Sequence, residues 1–329
     1  MKKILVTTVP FGANNCLPLE LLENAGVECV INPYNKKLTE DELFELVPEY
    51  DALIAGTEKI TRRIMDNAPN LKLISRVGIG LDGVDLAAAR EKGISVCYTP
   101  EAPAPAVAEL TIGMILSLLR SIHLANRQVH DGVWQRRFGR RISEVTIGII
   151  GLGRIGQRVI RRLGGFGTPR ILVNDVNPDM NAIPQQKLEF VSKEVIYREA
   201  DVISLHLPLT HLTDNMIGKT ELLSMKKDAL IVNTSRGGII NEQDLHDVLT
   251  SGHLEGAAID VFEKEPYDGV LQKVENCLLT AHMGSMSYDC RARMEIEATQ
   301  EIVRFFGGDS LASPVPETEY RMQASRAAK

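Results

Sequence analysis

The chain has 329 residues, 44% hydrophobic and 24% charged, with a net charge of −6. That length predicts about two domains of roughly 150 residues each, and the acidic balance argues against a nucleic-acid or membrane-surface partner. Five widely spaced cysteines with no C-x-x-C pair predict free thiols in a reducing compartment rather than disulfides or a zinc site.

The chain opens M-K-K-I-L-V-T-T-V, but the apolar run breaks at Pro10, Phe11 and Gly12 and no small-residue cleavage site follows. It reads as a first β-strand rather than a leader, and a cytoplasmic protein is expected. Residues 3–8 and 28–32 are strand-like and residues 18–25 helical. Residues 39–47 read as a helix with Thr39 and Glu42 as a capping box. Short apolar runs at 52–55, 71–76 and 95–98 continue the alternation, which predicts parallel strands with helices on both faces. Residues 99–106, T-P-E-A-P-A-P-A, carry three prolines in eight and cannot form regular helix or central strand, so they are read as a crossing between domains. A long helix is expected from about 106 to 128; its apolar part, 107–119, is too short to span a bilayer. A second β–α series then runs from Thr146 to His282. A last helix over about 289–306 is expected to return to the first domain, and the chain beyond Gly307 reads as extended and partly disordered.

Residues 146–150 (T-I-G-I-I) form a strand followed at once by Gly151-Leu152-Gly153-Arg154-Ile155-Gly156 and an amphipathic helix. In this G-x-G-x-x-G the first glycine permits the tight turn and the second lets a pyrophosphate approach the backbone. The third lets helix and strand pack, and the helix N-terminus offers N–H groups to the phosphates. A second strand, 170–174, ends in Asp175, nineteen residues past the third glycine, where a ribose hydroxyl would be met. A carboxylate there repels a 2′-phosphate, so the cofactor is expected to be NAD rather than NADP. Nucleotide contacts are expected from Gly151, Gly153, Arg154, Ile155, Gly156 and Asp175. Thr234 and Gly284 are further candidates, and His206 in L-H-L-P-L-T is expected beside Pro208 on the cofactor groove.

Three later segments end predicted strands: L-I-V-N-T-S-R-G-G with Arg236, A-A-I-D-V-F-E-K-E-P with Glu265, and L-L-T-A-H-M-G-S with His282. Doubly wound sheets bind ligands at the carboxyl ends of their strands, so an arginine, a glutamate and a histidine are delivered to one edge. A guanidinium can grip a carboxylate bidentately, an imidazole can exchange a hydroxyl proton, and a carboxylate can hold that imidazole. Reduction of a 2-oxo acid needs those three services.

Through these motifs the chain resembles the D-isomer-specific 2-hydroxyacid dehydrogenase family over roughly residues 1–310, in the manner of phosphoglycerate dehydrogenases without a C-terminal regulatory domain. The resemblance implies that the arginine of N-x-x-R-G, the glutamate of E-P and the histidine of H-x-G are catalytic: Arg236, Glu265 and His282. It implies that backbone N–H groups of Ile79 and Gly80, in the loop V-G-I-G-L-D-G-V-D, hold the substrate carboxylate, and that Asp260 meets the nicotinamide amide. It also implies two doubly wound α/β domains, a Rossmann NAD domain (100–288) inserted into a flavodoxin-like substrate domain (1–99 plus 289–318) with a flexible tail (319–329). A homodimer through the helix after residue 106 goes with that fold. The sequence departs from the family's pattern at Ala281, where proline usually precedes the histidine, at Gly83, and at Pro103-Ala104-Pro105. Arg76 matches an arginine near the substrate phosphate of phosphoglycerate dehydrogenases, while their second arginine is replaced by Ala55. A small D-2-hydroxy acid is therefore expected as substrate, with 3-phosphoglycerate or another doubly anionic acid leading and glyoxylate, hydroxypyruvate or phosphite as alternatives. A non-enzymatic NAD-sensing binding protein is the rival from another class. No cluster has metal-ligand spacing, so no metal is expected.

Overall fold

The structure is a computed structural model in which residues 2–167, 169–177, 183 and 187–327 are described. In chain order it forms β1 (Lys2–Val6), α1 (Leu17–Asn24), β2 (Val27–Ile31), α2 (Glu40–Leu46), β3 (Ala52–Ala55), α3 (Arg62–Asp66), β4 (Leu73–Arg76), α4 (Leu86–Glu91) and β5 (Ser95–Tyr98). Then come α5 (Ala104–Leu119), α6 (Ile122–His130), β6 (Thr146–Ile150), α7 (Arg154–Leu163), β7 (Arg170–Asn174) and β8 (Leu188–Phe190). The series continues with α8 (Lys193–Glu199), β9 (Val202–Leu205), α9 (Lys219–Ser224), β10 (Leu230–Asn233), α10 (Glu242–Thr250), β11 (Gly256–Ile259) and β12 (Cys277–Leu279). It ends with α11 (Tyr288–Gly307) and α12 (Glu317–Ala327). Two compact units result: Met1–Pro103 with Ser285–Lys329, and Ala104–Gly284.

In the first unit five parallel strands lie in the order β2-β1-β3-β4-β5. Every residue of β3 (A-L-I-A) and β4 (L-I-S-R) is buried, as parallel strands covered on both faces must be. The expected capping box starts α2: Glu42 N–H donates to Thr39 Oγ1 at 3.3 Å and Thr39 N–H to Glu42 Oε2 at 2.9 Å. The C-terminal segment corrects the expected extended tail. Ser313 and Val315 hydrogen-bond along the edge strand β5, and α12 then packs on α4. Pro316 stands just before α12, where a missing N–H costs nothing, and residues 317–327 are mostly good helix formers.

The second unit holds seven parallel strands in the order β12-β11-β10-β9-β6-β7-β8. The strand order reverses at β6, between β7 and β9, and such a switch point opens a crevice at the carboxyl ends. The expected single helix over 106–128 is two helices bent by 65°. Ser121, at φ 49°, takes the left-handed conformation that ends one and starts the next. The first of them already begins inside the proline-rich crossing, with Pro105 in its opening turn, where proline is tolerated. No single helix among the described residues is long and apolar enough to cross a membrane; the bent pair passes by length and composition alone, and one face of α5 is buried against α7, β10 and β11.

Candidate active site

The glycine loop between β6 and α7 is built for close approach. Gly151 takes φ 102°, and a Cβ there would collide with the carbonyl of His206; one at Gly156 would collide with the carbonyl of Gly151. Both positions therefore demand glycine. A Cβ at Gly153 would meet nothing within 4 Å, so this exposed residue at the N-cap of the ten-residue α7 leaves the helix N-terminus open to a phosphate. Asp175, at the end of β7, accepts from Leu152 N–H at 2.6 Å and from Asn177 N–H at 2.8 Å. Each carboxylate oxygen keeps lone-pair capacity for a ribose hydroxyl. His206 follows β9, its Nε2 3.0 Å from Ser204 Oγ, while its Nδ1 is buried with no hydrogen-bond partner. Burial pushes this ring down to about 3, so it is neutral at physiological pH. An orphaned buried nitrogen beside a cradle only glycine can line fits a bound dinucleotide. Arg154 and Pro208 are exposed and Ile155 half-buried around the same edge.

The strands β9, β10, β11 and β12 run in register, with Leu205 opposite Asn233, Asn233 opposite Ile259, and Ile259 opposite Leu279. Their following residues therefore emerge along one edge. After β10, Asn233 shapes the turn: its Oδ1 accepts from Ser235 N–H at 3.0 Å and Ser235 Oγ at 2.7 Å, and its Nδ2 donates to Arg236 O at 2.8 Å. Arg236 Nη1 in turn donates to Ser235 O at 2.6 Å. A Cβ at Gly237 would collide with the backbone of Phe262 and Glu263, so the arginine turn lies directly against the segment leading to Glu265. Thr234 is buried and bonds Thr111 of α5 through their hydroxyls at 2.8 Å.

Glu265 and His282 meet as expected. His282 Nδ1 lies 2.8 Å from Glu265 Oε2 and 3.0 Å from Oε1, and Phe262 N–H donates to Oε1 at 3.1 Å. A carboxylate only accepts, so Nδ1 carries the proton and Nε2 is the ring atom left for a substrate. His282 sits at φ 49°, a conformation that an ordinary residue holds only when its surroundings impose it.

Those surroundings are chiefly Asp260, 1% exposed at the end of β11. Its Oδ1 accepts from Thr280 Oγ1 at 2.5 Å and Met283 N–H at 2.9 Å, and its Oδ2 accepts from Gly284 N–H at 2.9 Å. Its backbone carbonyl accepts from His282 N–H at 2.8 Å. Asp260 thus grips the loop that carries the histidine on both sides of it, a role the sequence reading did not give it. The resemblance gave Asp260 the nicotinamide amide instead, and for the grip itself the sequence offers only an aspartate ending a buried strand. Ala281 in place of proline is consistent with this: the loop is fixed by Asp260.

The substrate-loop candidates lie in the other unit. Gly78 takes φ 135° and exchanges hydrogen bonds with Thr99: its N–H donates to Oγ1 at 2.8 Å and its carbonyl accepts from Thr99 N–H at 3.1 Å. Ile79 and Gly80 follow, half-buried. Arg76 is 7% exposed, and its Nη1 donates to Val77 O at 2.8 Å and Ala55 O at 3.3 Å.

Residues 112–284 match the model of the D-isomer specific 2-hydroxyacid dehydrogenase NAD-binding domain. The chain belongs to this family. A hydroxypyruvate reductase of Thermotoga maritima is 38% identical over 280 residues, covering 83% of this chain and 90% of its own. A D-3-phosphoglycerate dehydrogenase of Methanocaldococcus jannaschii is 37% identical over 321 residues, covering 94% of this chain and 58% of that one. The structure of an NAD-dependent formate dehydrogenase from Staphylococcus aureus in complex with NAD superposes with a TM-score of 0.82 at 32% identity, over 96% of this chain and 99% of that one. The dehydrogenase fold of two parallel-sheet α/β domains is shared, and the cofactor of this 2-hydroxyacid dehydrogenase is NAD.

Proposed function

We propose that the enzyme interconverts a small D-2-hydroxy acid and its 2-oxo acid, with hydroxypyruvate or glyoxylate as the oxo form, and that Arg236, Glu265 and His282 carry the reaction. The observation behind this reading is the paired Glu265 and His282 beside the Arg236 turn, at the strand edge that also carries the nucleotide loop. NAD, when bound, accepts or supplies the hydride at C2. The guanidinium of Arg236 holds the substrate carboxylate, His282 Nε2 exchanges the proton of the C2 oxygen, and Glu265 keeps the ring oriented and balances its charge. Backbone N–H groups of Ile79 and Gly80 complete the hold on the carboxylate. Gly151, Gly153, Arg154, Ile155, Gly156, His206, Pro208, Thr234, Asp260 and Gly284 line the cofactor, with Asp260 toward the nicotinamide amide. A panel of 2-oxo acids assayed by NADH oxidation tests the reading; no turnover of any of them would instead favour an NAD-sensing binding protein.

Two observations favour the small acids over 3-phosphoglycerate. The Arg76 guanidinium is turned inward onto two backbone carbonyls. Beside Ala55, Gly56 N–H donates to Oε1 of Glu58, which is 3% exposed, so an acidic side chain stands where the phosphate clamp would need its second cation. Arg76→Ala should therefore affect phosphorylated and plain acids alike, and the effect should be on stability, because two buried carbonyls lose a donor. A sharp rise in KM for 3-phosphoglycerate alone would restore the doubly anionic substrate.

NAD should be preferred over NADP by about tenfold or more, because a charge-assisted hydrogen bond to a ribose hydroxyl is worth roughly 1.5–3 kcal/mol and a 2′-phosphate would face the same carboxylate. Asp175→Ala should relax that preference, measured as the ratio of kcat/KM for the two cofactors; an equal ratio in the wild type would defeat the assignment.

We also propose that the protein is a cytoplasmic homodimer paired through the helices after residue 106. Ile122, Val129, Val133, Trp134 and Phe138 are all exposed there, Phe138 completely, a run of apolar surface that a second copy would cover.

A further inference from the structure

The glycine loop of the first unit is tied down on two sides. On one side Ile60 N–H donates to Gly83 O at 2.7 Å, and Asp85 N–H donates to Ile60 O at 3.0 Å. On the other stands Gln323 of α12. Its Oε1 accepts from Leu86 N–H at 2.7 Å, and its Nε2 donates to Val84 O at 2.7 Å and lies 3.5 Å from Leu81 O. Leu86 is the first residue of α4, so its N–H has no partner within the helix. One side-chain amide therefore closes both the end of the glycine loop and the start of the helix that follows.

The chain is carried to this place by specific contacts. Glu301 of α11, 4% exposed, accepts from Ala312 N–H at 3.0 Å and Ser313 N–H at 2.9 Å and so fixes the turn after the helix. Tyr98 N–H donates to Ser313 O at 3.2 Å and Val315 N–H to Val96 O at 3.0 Å, and the Val315 side chain is buried in the core of the unit. At the start of α12, Glu317 pairs with Arg90 of α4 at 2.5 Å, and the same guanidinium lies 3.8 Å from the Tyr320 ring. An eleven-residue helix is marginal alone, so its place depends on these contacts.

We propose that Gln323 is a positioning residue for substrate binding: it holds residues 81–86 so that the N–H groups of Ile79 and Gly80 are aimed before the acid arrives. The inference rests on the reading that this loop holds the substrate carboxylate. Backbone donors on a loosened loop must be ordered at the moment of binding, which weakens binding without touching hydride or proton transfer.

The test compares Gln323→Ala, Gln323→Glu and Gly80→Pro with the wild type in steady-state reduction of hydroxypyruvate and glyoxylate by NADH. Gln323→Ala should raise KM for the oxo acid about three- to tenfold, the size expected for losing one or two hydrogen bonds, with kcat and the Kd for NADH unchanged. Gln323→Glu keeps the acceptor for Leu86 N–H but loses the donor to Val84, and should raise KM as well. Without substrate, amide exchange at Leu86 and Gly80 should quicken in Gln323→Ala. A merely structural role would move kcat, NADH affinity and thermal stability together, and that outcome overturns the proposal. So does an unchanged KM. If Gly80→Pro, which deletes the proposed donor, raises KM while Gln323→Ala does not, only the role of Gln323 falls. If Gly80→Pro leaves KM unchanged, the reading of the loop falls and the proposal with it.

Discussion

Replacing His282 with alanine should lower kcat for 2-oxo acid reduction by roughly 10²–10⁴-fold, the usual range for a general acid, while NADH binds as before. The expectation follows from geometry. Nδ1 is held by both oxygens of Glu265 at 2.8 and 3.0 Å, which leaves Nε2 as the ring atom for the proposed proton exchange. The backbone of His282 is fixed at φ 49° by the Asp260 grip, so the ring is already placed and the reaction need not order it. Glu265→Gln should lose less, because an amide oxygen still accepts the Nδ1 proton but no longer balances a charged imidazolium. The double variant His282→Ala/Glu265→Ala should be about as slow as His282→Ala alone, since Glu265 acts through the ring. Stopped-flow turnover at saturating substrate is the measurement. A wild-type kcat in His282→Ala removes the histidine from the chemistry, and strictly additive losses would mean that Glu265 has a separate task.

What the sequence revealed depended on how local the underlying constraint is. Gly151, Gly153 and Gly156 are legible because they stand within six residues directly after a strand, and the demand at Gly156 is local: a Cβ there would meet the carbonyl of Gly151, whereas one at Gly151 would meet that of His206, far along the chain. The three motifs proposed to be catalytic could be brought together on paper because a parallel sheet puts the ends of β10, β11 and β12 side by side wherever those strands lie in the chain. The grip of Asp260 on Met283 and Gly284 spans 23 and 24 residues and appears only once β11 and β12 are paired. The Gln323 contacts span more than two hundred residues and have no sequence signature at all. The chain beyond Gly307 reads as extended, yet Pro316 stands where a helix starts and Val315 fills the core. The break at Ser121 falls just past the apolar run 107–119, inside a helical pattern that could have continued, and the left-handed backbone of that residue marks it. Arg76 shows the opposite limit: its position suggested a phosphate, and only the structure adds that its Nη1 donates to the carbonyls of Val77 and Ala55.

Replacing Arg236 should also be severe, and lysine should not rescue it. The arginine is presented by a turn with little freedom: Asn233 ties Ser235 and the Arg236 carbonyl, and Gly237 lies so close to Phe262 that no larger residue fits. A planar guanidinium on such a mount can give two parallel hydrogen bonds to a carboxylate, each charge-assisted bond being worth roughly 1.5–3 kcal/mol. Losing both predicts a fall in kcat/KM of about 10²–10⁴-fold for Arg236→Ala. Lysine keeps the charge but offers a single point donor on a flexible stem, so Arg236→Lys should recover only part of the loss. The fall should appear in both KM and kcat, because a carboxylate held by one contact lets the carbonyl wander from His282 and from the hydride. NADH affinity should stay as it is, which separates a lost substrate contact from a collapsed turn. A fall of less than tenfold in Arg236→Ala, or full activity in Arg236→Lys, would mean that the substrate carboxylate is gripped elsewhere.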